Sequence, residues 1–119
     1  MSDQATGDVV QLPENQEFTV NCSGLQWTGL DFTSQNPLNG NVTIDGQTVP
    51  FRDGTDNNNT LSFQFTYNDI TYSATGVVQK PTLGSEGTCN IDSGTITKPA
   101  GRGAVDVGTW SATATSPQG

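Results

Sequence analysis

The chain has 119 residues, a length that suits one domain. Four basic residues face twelve acidic ones, a net charge of −8, and Arg52, Lys80, Lys98 and Arg102 are scattered rather than clustered. That balance excludes a phosphate-binding stripe and opposes anionic membranes, so neither nucleic acid nor membrane is an expected partner.

The opening stretch, Met1 to Asp8, is polar and acidic and lacks the pattern of a secretory signal. It is expected to be a flexible segment (1–8) ahead of a single domain over 9–115, with 116–119 as a flexible tail. Gln16 to Cys22 alternates, with Phe18, Val20 and Cys22 on the inward face. Leu25, Trp27, Leu30 and Phe32 follow around Gly24 and Gly29, and 33–40 reads as loop. Asn41–Ile44 and Gln47–Phe51 form a hairpin through Asp45-Gly46, a strong two-residue turn signal, which sets Val42 opposite Val49. Pro50 cannot donate to a ladder, so its strand should lie at an edge or end there.

A run from Asp53 to Asn59 reads as loop, and the clearest alternation comes next. Leu61, Phe63, Phe65 and Tyr67 share one face, and Ile70, Tyr72 and Ala74 resume the pattern after Asn68-Asp69. A two-residue turn there pairs Tyr67 with Ile70, Phe65 with Tyr72 and Phe63 with Ala74. Residues 81–87 read as loop. In the last third the inward phase of Cys89 and Ile91 switches before Ile96, and that of Val105 and Val107 switches before Trp110, Ala112 and Ala114. Each switch falls at a glycine, Gly94 or Gly108. If 98–103 joins the two strands, those glycines lie nearly opposite and bend both strands together. No window has helical periodicity. The pattern predicts an all-β fold, a single antiparallel β-sandwich or small β-barrel of about seven to eight short strands with no significant helix.

Chemistry is constrained by what is missing. The chain contains no histidine, which removes the Ser-His and Cys-His nucleophilic arrangements and imidazole zinc sites. Most carboxylates sit beside Gly, Asn or Thr in turns, so no catalytic residue is assigned and the chain is not expected to be an enzyme. Cys22 and Cys89 each fall in a strand and are expected to form a disulfide between an early strand and a late one, which suits a protein that persists outside reducing compartments. Oxygen ligands at Asp53, Asp56 and Asn57 suit calcium without matching the EF-hand spacing; no other metal or cofactor is indicated. Trp27, among glycines, could meet a sugar ring, with Asp53 and Asp56 as polar contacts, whereas Trp110 shares its face with Ala112 and Ala114 and belongs to the core. Ser111, Thr113, Thr115, Thr95 and Thr97 read as a solvated strand face.

Two functional expectations follow. The first is a non-enzymatic structural or interaction protein, an accessory component of decoration, capsid or tail type in an extracellular or virion assembly, oligomeric or bound to other protein subunits. The alternative is a secreted carbohydrate-binding, lectin-like module with a glycan as ligand.

Overall fold

The computed structural model describes residues 10, 12–35, 37–79 and 88–115. Eight strands follow one another: β1 (Phe18–Cys22), β2 (Trp27–Gln35), β3 (Leu38–Ile44), β4 (Gln47–Asn57), β5 (Thr60–Tyr67), β6 (Ile70–Gln79), β7 (Thr88–Ala100) and β8 (Gly103–Thr115). Each pairs antiparallel with its neighbours in sequence, and β1 closes on β8, giving an up-and-down barrel. No helix occurs among the described residues.

The turns have a common cause. Asp45 and Gly46, Asn58 and Asn59, and Asn68 and Asp69 all take positive φ, between 53° and 78°. That conformation matches a two-residue hairpin to the right-handed twist of its strands, and Asn, Asp and Gly tolerate it best. The expected pairs Val42↔Val49, Tyr67↔Ile70, Phe65↔Tyr72 and Phe63↔Ala74 all form. Three loop assignments fail. Residues 33–35 extend β2, 38–40 open β3, and 53–57 complete β4, because Asn58-Asn59 alone makes the next turn. The stretch 98–103 is likewise mostly strand, with its turn reduced to Gly101 and Arg102. The expected loop 81–87 lies outside the described residues, as do the proposed tails, 1–8 and 116–119.

Gly94 and Gly108 sit where expected. Gly94 faces Trp110 and Gly108 faces Ile96, with register shifts beside both. A Cβ on Gly94 would meet the Trp110 indole at 2.7 Å, and one on Gly108 would collide with the Ser23 carbonyl. Glycine is therefore needed for close approach, not for the turn.

The barrel interior is solid. Eight aromatic rings, with Leu12, Leu30, Leu38, Leu61, Ile91 and smaller aliphatic groups, fill it, and no polar residue is buried among the described residues. An eight-stranded barrel is just wide enough for side chains to fill. Two joints in the sheet are short. β1 and β2 share two register pairs, and β4 and β5 share three, ending at Thr55↔Ser62. They divide the wall into β2–β3–β4 and β5–β6–β7–β8–β1. Rings bridge these halves: Phe18 contacts Phe32 at 5.5 Å, Phe51 stacks on Phe63 at 4.3 Å, and Trp27 meets Trp110 at 4.8 Å, Phe65 at 5.6 Å and Phe63 at 6.2 Å.

One end of the barrel is closed by the strap that precedes β1. Leu12 is buried there, and its N–H donates to the Gln35 side chain at 3.0 Å. Gln35 in turn donates to the Val10 carbonyl and to Asp56, at 3.0 and 2.6 Å. The N–H of Val10 donates to Asn59 at 2.7 Å.

Candidate functional site

Each residue singled out from the sequence has a definite place in the barrel. Trp27 is 1% exposed, and its indole N–H donates to the Gly29 carbonyl at 2.8 Å. It is a core residue, so the expected ligand contact at Trp27 is corrected. A ring touched on three sides by other rings offers no face to a sugar. Trp110 is buried as expected, its indole N–H donating to the Thr95 carbonyl at 3.0 Å.

Asp53, Asp56 and Asn57 do not converge. They lie on β4 rather than in a loop, and Asp56 accepts from Gln35 and from the N–H of Asn59, at 2.6 and 3.1 Å. Asp53 is exposed, with its N–H donating to Asn39 at 3.0 Å. No group of three potential metal-ligating side chains occurs among the described residues.

The expected Cys22–Cys89 bond is also corrected: both thiols are free. Cys22 faces Trp110 across one edge of β8, and Cys89 faces Ala114 across the other. Four residues along β8 and two strand spacings separate them, on the order of 15 Å, against a bridging limit of about 7 Å between Cα atoms. Alternation placed both inward, which is correct, but it carries no information about which end of the barrel each occupies. Burial pushes the Cys89 thiol up to about 11. Burial also raises Cys22, partly opposed by a hydrogen bond with the Leu25 backbone. Neither is a thiolate near neutral pH.

The outer wall is polar. One register row joins Thr55, Ser62, Thr75, Thr95 and Thr109 across β4 to β8. Its hydroxyls partly satisfy one another, Thr75 with Thr95 at 2.9 Å, as do Thr66 and Thr71 nearer the β5–β6 turn at 2.9 Å. An open trough of about 630 Å³ runs over Gly94 and Thr109, lined by Asn21, Ser23, Ser93 and Ser111. A second lies over the β4–β5 joint, between Pro50 and Arg52 on one side and Gln64 and Thr66 on the other.

The most distinctive surface feature is one that the sequence reading took for a connecting loop. β7 and β8 are each 13 residues long. β6 last pairs with β7 at Ser73↔Thr97, and β1 last pairs with β8 at Cys22↔Trp110. After one more backbone bond, from the Ser23 N–H to the Thr109 carbonyl at 2.9 Å, the strands pair only with each other, through Thr97↔Asp106, Lys98↔Val105, Pro99↔Ala104 and Ala100↔Gly103. A two-stranded ribbon thus projects from the barrel mouth. It carries Lys98 and Arg102, half of the chain's basic residues, and Val105, 43% exposed and the only exposed large hydrophobic residue among those described. The sequence signal was two cations within five residues of an otherwise acidic chain.

Fold and surface together define a filled up-and-down barrel with a cationic ribbon on an anionic body. No protein-family model, curated protein or solved structure matches the chain.

Proposed function

We propose that this protein is a non-enzymatic interaction subunit, an accessory component of an extracellular or virion assembly that acts through its outer surface. The observation that carries this reading is the filled interior: aromatic and aliphatic side chains occupy the space where an eight-stranded barrel would otherwise hold a small ligand. Recognition then falls to the wall and to the ribbon. A ribbon with two free edges is marginal alone and gains stability when another chain covers it. The glycan-binding alternative relied on an exposed Trp27 and has no comparable support.

The test is fractionation of the endogenous protein on a density gradient, followed by cross-linking and mass spectrometry. The expected result is sedimentation with particles far heavier than the 12.5 kDa chain, with cross-links to defined subunits. A protein that runs free in every fraction, or that turns over a substrate, overturns the reading.

A further inference from the structure

We infer that the β7–β8 ribbon is an assembly arm whose partner is a second copy of this chain, docking onto the acidic outer face of β2. The inference rests on the interaction-subunit reading and specifies its contact. Three observations support it.

The first is charge. The ribbon carries Lys98 and Arg102 against one carboxylate, Asp106, a net positive charge, whereas the described part of the barrel carries only one basic residue, Arg52, among many carboxylates. Neither Lys98 nor Arg102 has a carboxylate partner among the described residues. The molecule is therefore dipolar, with its positive pole on a projecting element. Such a distribution favours head-to-tail contact between copies and disfavours contact between like faces.

The second is a receiving face. The β1–β2 ladder ends at Phe18↔Leu30; Glu17 immediately precedes β1, and Asp31 follows Leu30 on β2, between two inward-facing residues and so on the outer face. The Glu17 carboxylate leans over Gly29, 2.6 Å from where a Cβ would stand, so the missing side chain gives it room. Asp31 itself receives one long hydrogen bond, from Asn41 at 3.4 Å. Carboxylates gathered on one outer face attract an incoming cation.

The third is the ribbon's own construction. Lys98, Ala100 and Val105 share one face, so a cation and an exposed apolar group are presented together. That combination suits a contact with an apolar centre and a charged rim. A contact between a ribbon and a different surface of the next copy is heterologous, so it builds a ring or an open filament rather than a closed dimer.

Sedimentation velocity tests this over a range of protein concentrations in low and high salt. The wild-type chain should exceed the monomer mass at low salt and dissociate as salt screens the contact. The double charge reversal K98E/R102E should shift the association midpoint at least ~10-fold to higher concentration. E17K/D31K on the receiving face should do the same. An equimolar mixture of these two variants should associate again, because each arm then meets a face of opposite charge. Far-ultraviolet circular dichroism confirms that both variants keep their strands.

A wild-type monomer at all concentrations overturns the inference. So does association that is indifferent to the arm, and so does a mixture that fails to associate. In each of these cases the gradient experiment still decides independently whether the protein belongs to a larger assembly. If the endogenous chain runs free there, the interaction-subunit reading fails instead.

Discussion

Replacing Trp27 by alanine tests whether this ring is a structural link or a ligand platform. An indole buries roughly 200 Å² of mostly apolar surface. At ~25 cal/mol per Å² its burial is worth about 5 kcal/mol, of which a buried alanine retains a small part. Truncations of large aromatic residues in cores cost about 3–5 kcal/mol. The upper half of that range is expected here, because Trp27 supplies three of the ring contacts that join the two halves of the barrel. Against a typical domain stability of 5–15 kcal/mol this is a large fraction. With a urea slope of about 2 kcal/mol per molar, the unfolding midpoint should fall by ~2 M. Trp110 fluorescence supplies the readout, since its ring lies 4.8 Å from that of Trp27. Trp27→Phe separates two contributions: it keeps an aromatic group but loses the bond to the Gly29 carbonyl, and should cost about 1–2 kcal/mol. If Trp27→Ala shifts stability by less than 1 kcal/mol while abolishing binding to a glycan array, the reasoning is wrong.

Three further outcomes are expected. The β4–β5 ladder ends at Thr55↔Ser62, and the two-residue turn at Asn68-Asp69 makes Tyr67↔Ile70 a hydrogen-bonded pair, so Phe63 and Phe65 direct their amides to β6 while Gln64 and Thr66 direct theirs to the joint; hydrogen exchange should be slow at the first two and fast at the second two. Gly108→Ala drives a methyl group into the Ser23 carbonyl and should cost about 1–3 kcal/mol in chemical denaturation, whereas Ala104→Ser on the exposed ribbon should be neutral within ~0.5 kcal/mol. Intact-mass spectrometry after alkylation in denaturant should find both thiols free. Because burial raises the Cys89 thiol from 9.0 to about 11, its contribution to stability is complete below pH 9 and is lost as pH rises towards 11; Cys89→Ala should flatten that alkaline limb of the stability–pH profile.

Side chains that face a common core were the most legible from sequence. Leu61, Phe63, Phe65 and Tyr72 are written with period two, and their pairing follows once Asn68-Asp69 is taken as a two-residue turn. The phase switches at Gly94 and Gly108 located two register shifts, since a bulge is the only way an alternating strand can change which residues face inward. Polarity misled where strands run without inward apolar groups. Asp53 to Asn57 and Lys98 to Ala100 are strands because their backbones find partners, and composition does not record backbone pairing. The same limit applied to the candidate site. Trp27 lay beside glycines that suggested exposure, yet those glycines serve close packing. The Cys22–Cys89 distance depends on where each strand begins along the barrel axis, which alternation leaves open.

The choice between sandwich and barrel was the one architectural question the pattern left undecided, and the two short joints explain why. A sandwich is two sheets that share a core without sharing hydrogen bonds along their edges, and a barrel is one sheet joined all round. Here the wall is joined all round, but with two pairs at β1–β2 and three at β4–β5, against eight at β5–β6. Pro50 has no N–H to extend the second joint, and β1 is only five residues long, which limits the first. Ring contacts take over where the ladders stop: Phe18 with Phe32 across one joint, Phe51 with Phe63 across the other. The molecule is therefore a barrel whose halves are held as those of a sandwich are, by their shared core. Core truncation at Phe51 or Phe63 should loosen the joint beside it before it unfolds the strands that pair along their full length.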